Sequence, residues 1–379
     1  MKIATVLRPL IAAAVVTTLV AAVGGGLLRA GGAGAAWLAA SDTLLRAAGV
    51  HAALMLSGFL GTVISIERAV ALKRAWAFGA PLCAVLGALA LLGGAATAGA
   101  ALLVVASTVF VAVNLRLVAL QRAPHTALLA VGALAWLAGN LLFASGRNGS
   151  ATLAAWFAFP VLTIAAERLE MTRLMRRHAA AAPAMALAVL LLLAGVAVSA
   201  VDVALGSALY GVALMALALW LGVYDIARRT VRARGLTRYM ALCLLAGYAW
   251  LALAGLAWLG MAFGCPGRDI AMHALGLGFI VGMVMAHAPV ILPAVARVKL
   301  LFGSWFYAPL LLLQVSLALR LADPAWRAAG AWGNALALAL FIATVAGSAI
   351  AWRRRGPPGH PPKPSKPYLR VLSRDGGGV

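Results

Sequence analysis

Carboxylates are scarce in this 379-residue chain: nine Asp and Glu stand against 31 Lys and Arg, and charged residues make up only 11% of the sequence. A soluble domain is about a quarter charged, so that class is excluded. Cysteine is limited to Cys83, Cys243 and Cys265. Two of the three fall inside apolar runs, which leaves no disulfide framework. There is no Cys-x-x-Cys-His stretch for covalent haem attachment, and no glycine-rich phosphate cradle accompanies the arginines between 228 and 238. The net charge of +22 therefore arrives without a nucleic-acid motif, and no nucleic-acid partner is expected.

What the chain has is apolar length. Hydrophobic residues reach 64% and the mean hydropathy is +1.01. Each run of about 20 apolar residues spans a bilayer as a helix, because lipid offers no partner for an open backbone. Twelve such runs are expected, at roughly 8–28, 47–66, 77–97, 99–119, 126–144, 151–167, 182–203, 205–224, 239–261, 270–293, 302–319 and 328–351. The expectation is an all-α polytopic membrane protein with one transmembrane domain over residues 1–352. Met1 to Leu28 is read as a retained first span rather than a cleaved signal peptide.

Charge tests that count. With both termini cytoplasmic, 25 of the 31 Lys and Arg fall on the inner side, and Arg29, Arg46, Arg147, Arg268, Arg320 and Arg327 remain outside. A wrong number of spans would scramble this asymmetry. The basic balance is thus a topology signal with attraction to anionic membrane lipid, and the bacterial cytoplasmic (inner) membrane is the expected location.

The tenth run holds two histidines, His273 and His287, fourteen steps apart. In a regular α-helix that is about 1400°, some 40° short of four turns, with an axial separation of roughly 21 Å. Both would leave one face, near opposite leaflets. The second run opens with Arg46 and reaches His51 after five steps; the tenth opens with Arg268 and reaches His273 after the same five. Both helices run inward, so His51 and His273 share a depth near the outer boundary. Two imidazoles facing each other across helices are the axial pair of a low-spin b-type haem. Arg46 and Arg268, one turn above, would meet its propionates. The bland alternative is two interfacial histidines with snorkelling arginines. Met55, one turn inward of His51, is read as packing.

A second pattern links three helices. Phe59 precedes Glu67 by eight, Phe159 precedes Glu167 by eight and Phe279 precedes His287 by eight, each Phe following a small residue: Gly58, Ala158 or Gly278. Spans two, six and ten thus read as equivalent members of three four-helix arcs. Glu67, Glu167 and His287 would share one depth near the cytoplasmic side. They would form either a second polar site, as proton relay or metal ligands, or helix-end pairs Glu67-Arg68 and Glu167-Arg168 with His287 bonded in the bundle, the reading preferred from sequence.

Elsewhere the signals are weaker. Residues Trp37 to Leu45 suit a short interfacial helix capped by Ser41 or Asp42. Glu170 is assigned to an exposed inner loop with Arg173, Arg176 and Arg177, and His125, His178 and His360 are read as solvated. Asn114, Asn140, Tyr248 and Asn334 suit hydrogen bonds between helices. Residues 353–379 are basic and Pro-rich and read as a disordered cytoplasmic tail.

Twelve spans with histidines on helices two and ten resemble subunit I of the haem-copper oxidases. The chain more closely resembles the NnrS family of bacterial membrane proteins, through His51-Ala52-Ala53-Leu54-Met55, Gly58-Phe59, and His273-Ala274-Leu275 with Gly278 and Met283. The resemblance implies three four-helix arcs, haem b, and a part in nitric oxide and denitrification stress or in electron transfer, with nitric oxide or a redox protein as partner. Ala53 stands where such families often have a second histidine, and span six has no histidine. The copper centre of an oxidase is not expected, and one haem is the most the resemblance supports. The competing expectations are a twelve-helix small-solute transporter, which would want broken helices at matching places in two six-span halves although Pro160, Pro289 and Pro293 follow the threefold pattern better, and an assembly factor without a ligand.

Overall fold

A computed structural model describes residues 2–32, 34–172, 179–296 and 298–355 of the chain. The apolar runs form twelve helices long and apolar enough to cross a membrane: α1 (Ile11–Ala30), α2 (Ala53–Leu72), α3 (Ala75–Leu92), α4 (Ala96–Leu120), α5 (Pro124–Ala144), α6 (Ser150–Met171), α7 (Ala181–Val198), α8 (Val203–Tyr224), α9 (Gly235–Ala262), α10 (Arg268–Ala294), α11 (Ser304–Ala322) and α12 (Pro324–Arg354). No strand occurs among the described residues. The protein is an all-α polytopic membrane protein, as its composition requires.

The second expected span, 47–66, is divided. A short helix, Asp42–Gly49, ends at Val50 (φ −112°, ψ 22°), and α2 begins beyond it. Gly49 is a poor residue with which to continue a helix. At the other end Ser41 caps the short helix, its Oγ accepting from the Leu44 N–H at 3.4 Å. The interfacial helix expected from Trp37 to Leu45 is therefore two pieces, Ala35–Leu38 and Asp42–Gly49.

Sequence neighbours pack as antiparallel pairs, and α1 touches α12, so the ring closes. Inside it, α2, α6 and α10 each touch the other two. Helix α6 is the most enclosed, with every residue from 152 to 166 buried. The contacts α4–α5, α8–α9 and α12–α1 join three runs of four helices around this trio, in keeping with the Phe-to-ionisable spacing. Large side chains such as Leu115, Leu190, Leu219, Leu311 and Leu336 face outward, as lipid-facing positions should. Because lipid supplies no hydrophobic drive between helices, close approach of small residues does that work. A Cβ on Gly211 would lie 2.6 Å from the Gly255 carbonyl oxygen, and one on Gly255 would lie 2.7 Å from that of Gly211.

Two spans depart from α geometry. Ala53–Leu60 in α2 and Ala274–Val281 in α10 are π-helical, with backbone bonds reaching back five residues instead of four. Helix α6 carries Pro160 at the matching place, one residue after Phe159. The phase count from His273 to His287 assumed a regular helix, and a π segment lies between them. That same-face expectation does not carry through.

Helix continues through Arg355, beyond the expected start of the tail at 353. The rest of that tail with His360, and the loop residues Arg173, Arg176, Arg177 and His178, lie outside the described residues, as does Arg297.

Candidate functional site

Near the face opposite the chain ends, helices α1, α2, α6, α10 and α12 enclose a cavity of about 350 Å³, a size suited to small-molecule and cofactor sites. His51 and His273 both line it. The shared depth expected of them is realised.

The two imidazoles are fixed by different partners. His51 Nδ1 lies 2.8 Å from the Ala22 carbonyl oxygen of α1. That oxygen can only accept, so Nδ1 carries the proton and Nε2 keeps its lone pair. The ring also rests on Gly26, where an added Cβ would lie 2.7 Å from His51 Cε1. His273 Nδ1 donates to Asp269, 3.0 Å from both its backbone oxygen and its carboxylate Oδ1. Arg320 of α11 grips the same carboxylate twice, with Nη2 3.0 Å from Oδ1 and Nε 3.2 Å from Oδ2. Each histidine thus presents Nε2 as its free ring nitrogen. A donated Nδ1–H of this kind orients an imidazole and raises its basicity as a metal ligand.

Arg268 lines the cavity as expected, together with Arg29 and Arg320. Arg46 does not. It lies on the separate short helix, and its Nε donates to the Leu92 carbonyl oxygen of α3 at 2.8 Å. The break at Val50 explains this, because one continuous helix from Arg46 to His51 was the premise for placing that guanidinium above the histidine.

Trp156 and Phe157 of α6 form part of the wall. Trp156 Nε1 donates to Asn140 Oδ1 at 2.8 Å, which also accepts from Ser57 Oγ at 2.7 Å. Trp136 Nε1 donates to Ser57 Oγ at 2.9 Å, and Asn140 Nδ2 donates to the Leu103 oxygen at 2.9 Å. This buried network is satisfied throughout and ties α2, α4, α5 and α6 beside the cavity. Asn140 therefore joins helices as expected, whereas Asn114 bonds back to Phe110 within its own helix.

A family model described as a domain of unknown function (DUF8744) matches residues 8–350. The chain belongs to this family. No curated protein and no solved structure matches it. The DUF8744 match runs across all twelve spans, so the cavity and the polar cluster below it belong to one family unit.

That cluster lies at the opposite end of α2, α6 and α10. Arg68 Nη2 is 2.6 Å from Glu167 Oε1 and 3.3 Å from Glu67 Oε1. His287 Nδ1 donates to the Met283 oxygen at 2.7 Å, and its Nε2 accepts from Arg168 Nη2 at 3.0 Å. Arg168 also faces Asp225, at 4.0 Å, and burial pushes that carboxyl above the usual carboxylate range. Glu67, Glu167 and His287 do come to one level. Arg68 thus pairs with its sequence neighbour Glu67, as expected, and more closely with Glu167 across the bundle, while Arg168 reaches His287 and Asp225 on other elements.

Several participants were invisible from sequence. Asp269 draws no role from the sequence, and Arg320 counts only among the outer charges until α10 and α11 are packed. Asp225 follows the end of α8 and meets Arg168 only in the fold. His125, expected in solvent, pairs with Glu170 at 2.8 Å, which removes Glu170 from the exposed loop. Among the described residues no group of three or more His, Cys, Asp or Glu could hold a bare metal ion.

Proposed function

We propose that this protein is a multi-pass membrane protein that binds one b-type haem between His51 and His273. One observation carries the reading: two histidines from different helices line one cavity, each with Nδ1–H donated away and Nε2 free. The donor set fits the group. Neutral Nε2 atoms are the axial ligands of low-spin haem, and Arg29, Arg268 and Arg320 offer cationic donors for its carboxylates. Gly26 leaves room for the His51 ring, and Gly276 adds no side chain to the lining.

When bound, haem supplies one-electron chemistry and an iron that can take a small gas. The chain's own part is to hold the imidazoles, neutralise the carboxylates and exclude water with Trp156 and Phe157. The Lys and Arg asymmetry supports cytoplasmic chain ends and a cavity toward the outer leaflet of a bacterial inner membrane. The resemblance to the NnrS family extends the reading to nitric oxide stress protection or electron transfer.

The test is absorption spectroscopy on protein purified in detergent from haem-replete cells, oxidised and dithionite-reduced, beside His51→Ala and His273→Ala. A Soret band with sharp reduced α and β bands, the latter lost in both variants, is expected. Colourless wild-type protein would sink the reading and bring solute transport forward.

A further inference from the structure

The two histidines are held unequally. His273 is fixed by a carboxylate that is itself fixed: Asp269 Oδ1 sits 3.0 Å from His273 Nδ1, and Arg320, only 9% exposed, clamps both oxygens of that carboxylate from α11. Its backbone is continuous helix into the π segment. A charge-assisted bond to an oriented acid is about twice as strong as one between neutral groups. His51 has only a neutral bond, to the Ala22 carbonyl oxygen. It also follows a backbone break, because the preceding short helix ends at Gly49 and Val50 leaves helical geometry.

We infer that, with haem bound as proposed above, His273 is the permanent ligand and His51 the exchangeable one, leaving its place to a small neutral gas. Asp269 and Arg320 act as positioning residues for His273. The exchange balances simply. His51 Nε2 would give up its place as a ligand, the ring leaving as neutral imidazole with its Nδ1 proton retained, and the incoming molecule would supply an electron pair in its stead. No proton or electron is transferred. This places a gas on the α1–α2 side of the cavity and rests on the haem reading, whose own failure would show as colourless wild-type protein.

The experiment uses full-length, haem-loaded protein in detergent, with carbon monoxide as the probe. The first arm compares His51→Gly with His273→Gly. The His51→Gly protein should keep haem in a high-spin spectrum and return to low spin on adding imidazole, while His273→Gly should lose most of its haem. The second arm needs no histidine variant. Reduced wild-type protein should take up carbon monoxide, and after photolysis the iron–histidine stretching frequency should fall in Asp269→Asn, which keeps the shape of the acid but not its charge. Asp269→Asn should also weaken haem binding by about 10–100-fold, as loss of an outer partner of a ligating histidine does. Haem retained by His273→Gly but not by His51→Gly, equal loss from both, no uptake of carbon monoxide, or a stretching frequency indifferent to Asp269→Asn would each overturn the assignment.

Discussion

Arg168 shows how much one buried charge can decide. It is 7% exposed and serves both His287 and Asp225. Replacing it leaves Asp225, whose side chain is fully enclosed, without its cation. Removing one partner of a buried pair costs about 3–5 kcal/mol. Arg168→Met should therefore lower the thermal unfolding midpoint in detergent markedly, read by intrinsic tryptophan fluorescence. Glu67→Gln should do much less, because Glu67 is 27% exposed and Arg68 keeps its shorter contact with Glu167. At the cavity the contrast is between guanidiniums. Arg29→Ala or Arg268→Ala removes a cation from the lining, and a hydrogen bond to a charged group contributes about 1.5–3 kcal/mol, so on the proposed reading haem should dissociate faster. Arg46→Ala should leave haem binding unchanged, since that side chain bonds to Leu92. Haem transfer to apomyoglobin measures both.

The π segments matter at the scale of the helix. Ala53–Leu60 and Ala274–Val281 each lie directly below a cavity histidine, and Pro160 interrupts α6 at the same register. Extended π turns are rare and tend to mark functional sites. Each sets the angle between the histidine above it and the polar cluster below it. A π turn takes up one extra residue at nearly constant phase, so deleting Leu54 should let α2 close to regular α geometry with His51 keeping its direction relative to Glu67. On the haem reading the low-spin α and β bands should survive the deletion, whereas one alanine inserted after Leu60 should turn His51 by about 100° and abolish them. Bands lost from the deletion variant would overturn this phase argument. Nothing in the residue types of Ala53–Leu60 announces the π form, since Ala, Leu, Met and Phe serve equally in an α-helix.

At the scale of the molecule, twelve spans put both chain ends on one face and the loop holding Cys265 on the other. Cys265 is exposed, Cys83 is partly covered within α3 and Cys243 is buried in α9. A membrane-impermeant maleimide applied outside whole cells should label Cys265 alone, and Cys265→Ser should abolish the labelling. Labelling only after the cells are opened would reverse the orientation. The count of spans and the arrangement around α2, α6 and α10 were legible in the sequence because they rest on apolar run length, the side that each Lys and Arg occupies, and a recurring eight-residue spacing. The Asp269–Arg320 clamp was not legible, because its members lie on different helices and their meeting depends on how α10 and α11 turn toward each other.

The sequence by itself determined that this chain is helical, crosses a membrane twelve times and carries two histidines at one depth. Lipid permits few alternatives: an apolar run of sufficient length must satisfy its backbone internally, and basic residues resist translocation. Only the tertiary structure decided that those histidines line a common cavity, that Arg29 and Arg320 stand there in place of Arg46, and that Arg68 and Arg168 reach acids on other helices. Those outcomes depend on rotation about each helix axis, which π turns and a break at Val50 alter by tens of degrees. Such rotations are settled by what each side chain finds on the neighbouring helix, and so belong to packing and not to the linear order of residues.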